Sequence, residues 1–174
     1  MAEILILSCT NRLNSNTLKV SRIYRELLLE RGIDAPILDF CDLPRDIAFS
    51  EAFGQRTPKF EQLLNLTVVP NRKFIFVMPE YNGSFPGILK VFLDSVPPRD
   101  WNDKKACMVG VADGRAGNLR GMEHLTGILN YLKMHVYHNK LPISVVNKMF
   151  TGEDTFAAEQ LLVCRQQLEG FLNF

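Results

Sequence analysis

The sequence lacks long apolar runs, blocks of like charge, paired cysteines and any glycine in its first polar loop, and each absence removes a class of protein. Its longest uninterrupted apolar runs, such as ILIL at 4–7 and FIFVM at 74–78, fall far short of the roughly 20 residues of a membrane span. Met1, Ala2 and Glu3 lack the basic start of a secretory leader. A cytoplasmic protein with no membrane partner is therefore expected. Twenty basic residues face nineteen acidic ones for a net charge of +1, and without a run of either sign no nucleic-acid face or polybasic anchor is expected. Cys9, Cys41, Cys107 and Cys164 are scattered, with no CxxC pair and no histidine at ligand spacing. Reduced, mostly buried thiols and no metal site follow.

What remains is a chain that is 47% hydrophobic and long enough to bury one core, so a single domain over 1–174 is the expectation. EILILS reads as a strand, CTNRLNSN as a loop, and TLKVSRIYRELLLERG as a helix, with Leu18, Ile23, Leu27 and Leu28 at helical spacing up to the stop at Gly32. APILDF (35–40) is a second strand. Residues 41–57 show no sustained period and read as a flexible connection. A helix is predicted from Pro58 to about Val68, with Pro58 in its first turn, followed by KFIFVM as the third strand. GILKVFLDSV is a helix closed by Pro97 and Pro98, and KKACMVGVA (104–112) is the fourth strand. A helix from about Met122 to Met134 leads to a fifth strand within HVYHNKLPISVV, and FAAEQLLVCRQQLEGFL closes the chain as an amphipathic helix.

Strands that alternate with helices, and are apolar on both faces, predict an α/β sandwich: a five-stranded parallel sheet with helices on both sides. In such sheets ligands bind at the carboxyl ends of the strands, where strand order reverses. The loops at 8–17, 79–87 and 112–121 therefore merit inspection. The first sets Thr10, Arg12, Ser15, Asn16 and Thr17 ahead of a helix N-terminus, where orphan N–H groups, hydroxyls and a guanidinium suit a phosphate. Without glycine it matches neither GxGxxG nor GxxxxGK[ST], so a monophosphate fits better than a dinucleotide or triphosphate. Ser15 or Asn16 could equally serve as a plain helix cap. In the second, VMPEYNGSFPGILK (77–90), Pro79 and Pro86 stiffen the frame, and Asn82 and Gly83 form a turn pair. Backbone amides on that frame could meet the edge of a planar heterocycle, with Tyr81 beside it and Glu80 in solvent. The third, ADGRAGNLRG, offers Asp113, Gly114, Arg115 and Gly117, whose glycines could line the far side of a flat ligand or simply form a mobile loop.

PEYNGSFPGILKVFLD resembles the signature of the flavodoxin-like NAD(P)H-dependent FMN reductases, a family that includes quinone, azo-dye and chromate reductases. The first loop is similar to that family's phosphate loop, GSxRxxSxN, and DGRAGNLRGMEHL to its third loop and the helix after it. The resemblance implies a three-layer sandwich of strand order 2-1-3-4-5, with FMN bound and NADPH or NADH as co-substrate. It places Thr10, Arg12, Ser15, Asn16 and Thr17 around the FMN phosphate, and Pro79, Glu80, Tyr81, Asn82 and Gly83 along the ring. No side chain is expected to act as a catalyst, because the flavin carries the chemistry, and His124, His135 and His138 are not needed as acids or bases. Hydride would pass from the nicotinamide and then to a small acceptor such as free flavin, a quinone, an azo dye or a metal oxyanion, in ping-pong order. The resemblance also implies a homodimer or homotetramer, with Phe92 and Leu125 as candidate exposed contacts. Cys9 stands where the family commonly has glycine, and Asp113 where a neutral residue is commoner; both predict a weaker hold on FMN. The alternatives are a flavodoxin-like electron carrier, which the near-neutral charge disfavours, and a regulatory domain with weak or lost FMN binding.

Overall fold

A computed structural model describes residues 3–152 and 155–174; Met1 and Ala2, read above for a leader, lie outside the described residues. Strands β1 (Ile4–Ser8), β2 (Ile37–Asp39), β3 (Lys73–Pro79) and β4 (Lys105–Val111) run parallel in the order β2-β1-β3-β4. Two short segments, β5 (His135–Val136) and β6 (Leu141–Ile143), both pair in parallel with β4. The sheet therefore has the expected order 2-1-3-4-5, with its fifth position filled by a broken strand.

The break has a physical cause. Gln167, fully buried on the closing helix, donates to the carbonyl of Met108 at 3.0 Å and to that of Asn139 at 2.7 Å, while it accepts from the Tyr24 hydroxyl at 2.5 Å. A side-chain amide thus takes the β4 carbonyl that a continuous fifth strand would have used, and no buried partner is left unpaired.

Alternate residues of each strand feed opposite faces, as the period of two requires. Leu5, Leu7, Phe74, Phe76 and Met78 pack with α2 (Pro58–Thr67), α3 (Gly87–Ser95) and α4 (Leu119–Tyr131) through Leu64, Phe92 and Leu125. Ile4, Ile6, Ile75 and Val77 pack with α1 (Asn16–Leu29) and α5 (Ala158–Asn173) through Val20, Tyr24, Leu168 and Phe171. Phe92 and Leu125, expected as exposed subunit contacts, are instead fully buried against their own sheet. Helical spacing alone does not say which side of a helix meets the core. The large exposed apolar side chains include Phe49 and Phe53.

The segment 41–57 is not a loose connection. Leu43 and Ile47 enter the core, and the buried Glu51 carboxylate accepts both the N–H and the hydroxyl of Thr57 at 2.8 Å. Thr57 in turn caps α2 by accepting from Phe60 N–H at 3.2 Å. Anchors spaced irregularly around a buried carboxylate leave no periodic trace in the sequence.

Candidate functional site

All strand carboxyl ends point to one edge, and there the three loops meet around a cleft of about 720 Å³, within the usual range for cofactor sites. Its first wall is the start of α1. Ser15 adopts extended backbone as the N-cap and accepts from Leu18 N–H at 3.1 Å, so the helix begins at Asn16. The first-turn N–H groups of Asn16 and Thr17 have no carbonyl one turn earlier to reach, and both residues line the cleft beside Arg12 and Ser15. Of the two residues read as possible caps, Ser15 is the cap and Asn16 is the first helical residue, and both line the cleft.

Thr10 takes a different place. It is fully buried, its hydroxyl shares a 2.7 Å hydrogen bond with the Tyr81 hydroxyl, and it accepts from Arg12 N–H at 3.3 Å. It ties the first loop to the second and does not face the opening. Cys9 does not narrow the cleft either: its side chain lies in the core, and its backbone avoids the left-handed region that would require glycine. Burial, and then the charge of Asp39, push the Cys9 thiol well above its usual pKa; the same two causes raise Cys41, whose Sγ points to Thr10 O at 3.8 Å. The layer under the first loop therefore holds protonated thiols and no thiolate nucleophile.

The second wall is Pro79 to Gly83. Pro79 closes β3 at the sheet edge, and Glu80 N–H donates to Val111 O at 3.3 Å. Tyr81 and Ser84 then exchange both backbone hydrogen bonds, at 2.8 and 3.1 Å, around Asn82 and Gly83 with φ of 52° and 81°. Two successive positive φ values define a primed hairpin turn, for which Asn-Gly is the favoured pair. The N–H groups of Asn82 and Gly83 take no part in that pairing. A Cβ on Gly83 would meet only Arg120 Cδ, at 4.0 Å; glycine is required here by backbone conformation more than by space.

The third wall is Val111 to Ala116, with Asp113, Gly114 and Arg115 on the cleft and open space beside Gly114. Gly117 is elsewhere: at φ 58° it lies buried, where a Cβ would come within 2.6 Å of Pro142. It lets the loop close on β6. Arg120, at the start of α4, pairs with Glu80 at 3.3 Å. Asn14, Arg120, Val146 and Asn147 complete the lining, and the sequence did not single them out as site residues. Asn14 and Arg120 flank loops already under inspection, whereas nothing local marks Val146 and Asn147. No histidine is among the lining residues; His124 instead faces Ser84 Oγ at 2.9 Å.

Three arginines against two carboxylates, a helix N-terminus on one side and unpaired turn amides on the other, suit a phosphate-bearing ligand with a flat polar ring. Set at the carboxyl edge of a parallel sheet, that arrangement defines a flavodoxin-like nucleotide-cofactor protein. The chain belongs to the NADPH-dependent FMN reductase family, whose model matches residues 2–147. It is 28% identical over 129 residues to a 2-hydroxy-1,4-benzoquinone reductase of Burkholderia sp., an alignment covering 67% of this chain and 70% of the relative. Its fold is that of the NAD(P)H:(acceptor) oxidoreductase FerB of Paracoccus denitrificans, with a TM-score of 0.80, 17% identity, and 98% and 94% of the two chains covered. A flavodoxin of Pseudomonas aeruginosa shares the arrangement at a TM-score of 0.59 and 17% identity, over 96% of this chain and 99% of that one. The protein is thus an oxidoreductase of a family that uses FMN and NAD(P)H.

Proposed function

We propose that the cleft binds FMN and that the protein reduces a small acceptor, a quinone or free flavin before an azo dye or metal oxyanion, at the expense of NADPH or NADH. The observation that carries this reading is the pairing, across one cleft, of the α1 N-terminus with the Asn82-Gly83 turn. Bound FMN would supply hydride acceptance and donation; the chain's residues do the rest.

Arg12, Ser15, Asn16 and Thr17 hold the phosphate with a guanidinium, a hydroxyl and first-turn N–H groups. The residues fit it, because Arg12 lines the cleft with an exposed side chain. The amides of Asn82 and Gly83, unused by the turn's own pairing, would donate to the ring and stabilise negative charge there without any titrating side chain. Pro79 and Tyr81 fix that turn, and the Thr10 hydroxyl fixes Tyr81. Gly114, with nothing crowding it, leaves room for the ring on the third wall. Glu80 and Arg120 neutralise one another beside the turn, which leaves Arg115 as a further cation for anionic substrate groups. Asp113 stays on the third wall with its carboxylate bonded to Asn147, and Gly117 acts from behind, packed under β6.

The enzyme acts as a homodimer or homotetramer in the cytoplasm in this reading. Exposed Phe49 and Phe53 are the kind of side chain a subunit contact covers, and among the described residues no helix is long and apolar enough to cross a membrane. The test is anaerobic. Purified protein loaded with FMN and mixed with NADPH or NADH should lose its flavin absorbance with no partner protein, and a quinone should restore it. Failure of both nicotinamides to bleach the band would favour the electron-carrier or regulatory alternative.

A further inference from the structure

Val145 has φ 48° and ψ 44°, the left-handed region in which a β-branched residue is an outlier. Such backbone persists only where neighbouring contacts over-determine it, and it concentrates at functional positions. The contacts are present. Ala112 N–H donates to Ile143 O at 3.0 Å, Val146 N–H to Ala112 O at 3.0 Å, and Val145 N–H to Gly114 O at 3.2 Å. Ser144 Oγ adds a bond to Arg115 O at 2.8 Å. Residues 143–146 thus grip the third cleft wall, and the twist at Val145 delivers the next side chain but one, Asn147, to the opening.

Asn147 uses both ends of its amide there. Its Nδ2 donates to the Asp113 carboxylate, and its Oδ1 accepts from Asn16 Nδ2 at 2.8 Å. One side chain therefore spans from the first turn of α1 to the third wall. The amide meets both demands at once, whereas leucine offers neither group and aspartate would set a carboxylate against Asp113.

We propose that Asn147 is a positioning residue of the cofactor cleft: it fixes the separation of the α1 turn from the third wall and holds the Asp113 carboxylate away from the ligand's anionic groups. The inference rests on the FMN reading above. It also assigns a role to Asp113, whose charge would otherwise oppose an anionic cofactor.

The experiment is calorimetric titration of FMN and riboflavin into flavin-free full-length protein: the parent, Asn147→Ala, Asn147→Asp, Asp113→Asn, and the Asn147→Ala/Asp113→Asn double variant. Losing the bridge should weaken FMN binding about tenfold, the scale of one hydrogen bond plus a released charge. Riboflavin, with no phosphate, should lose less. Asn147→Asp, close in shape and certain to keep the loop filled, should weaken FMN more than alanine does. In the Asp113→Asn background the alanine effect should shrink to roughly two- or threefold, because no carboxylate remains to be released. Equal losses in both backgrounds, or an Asn147→Ala protein that binds FMN like the parent, would reduce Asn147 to a surface clip and overturn the proposal. A parent protein that binds no FMN would overturn the underlying reading itself.

Discussion

At the scale of single residues, chemistry and conformation place separate demands on the same loops. Arg12 is exposed on the cleft and lies at the α1 turn, so its guanidinium should read the phosphate. Arg12→Ala should weaken FMN binding by about 1–3 kcal/mol, the scale of a charge-assisted bond, and leave riboflavin affinity unchanged; equal losses for both, measured by fluorescence titration, would remove Arg12 from phosphate recognition. Gly83 shows why substitution must respect φ. At 81° any branched side chain strains the turn, so Gly83→Val would lose the hairpin for backbone reasons and say little about the approach of a ring. Val145 is the converse case, a strained residue where glycine would relax. Val145→Gly should raise stability by up to about 1 kcal/mol, since left-handed backbone costs an L-residue roughly 1–2 kcal/mol and glycine returns part of that as entropy. FMN affinity should fall together with the gain in melting temperature. A variant that melts higher and binds FMN as tightly would show that the strain has no part in the cleft. Most residues expected at the site from sequence do line the cleft, because hydroxyls, amides and glycines cluster within each loop. Thr10 and Gly117 do not, since their positions are decided by Tyr81 and Pro142, far away in the chain. Asn147 was invisible for the same reason: its partners Asn16 and Asp113 come from other loops.

At the scale of elements, period and punctuation located the helices and the first four strands, and failed where a buried polar group replaces regular pairing. The broken fifth strand depends on Gln167 and the ordered 41–57 segment on Glu51, and neither residue stands out in a sequence of solvated polar side chains. Lys104 belongs with them. It is buried at the lower end of β4, donates to Val68 O at 2.5 Å and Val69 O at 3.2 Å at the end of α2, and lies over the Phe74 ring at 5.3 Å. Burial lowers its pKa from 10.5 to about 8. Between those values the unfolded chain keeps a proton that the folded protein releases, so the Lys104 contribution to stability rises with pH from about 8 to about 10.5, while the buried thiols, whose pKa values burial raises, work in the opposite direction. Below pH 8 the burial penalty is constant, at most on the order of 3 kcal/mol. Urea unfolding of parent and Lys104→Met across this range should show the parent gaining stability relative to the variant as pH rises, the thiols being common to both. Identical pH profiles would mean that the ammonium is better solvated than its surroundings indicate.

At the scale of the whole molecule, the cleft gathers loops from the carboxyl ends of three strands. The Asn82-Gly83 turn and the third loop line it, and the bridge from Asn147 to Asn16 crosses between walls. If, as proposed, a nicotinamide and a flat acceptor use the same face of a bound ring, they cannot be present together. The oxidised nicotinamide would then leave before the acceptor enters. Initial rates at several fixed quinone concentrations, plotted in double-reciprocal form against NADPH or NADH, should give parallel lines, the sign of a ping-pong cycle. High concentrations of either substrate should inhibit competitively with respect to the other, because each occupies the form of the enzyme that the other needs. Arg115 lines the cleft beside Gly114, and in the proposed reading it meets the anionic part of the nicotinamide substrate. Arg115→Ala should then raise KM for the nicotinamide and leave KM for a neutral quinone unchanged. Intersecting lines would mean that both substrates bind at once, and would require a second face or a neighbouring subunit to hold one of them.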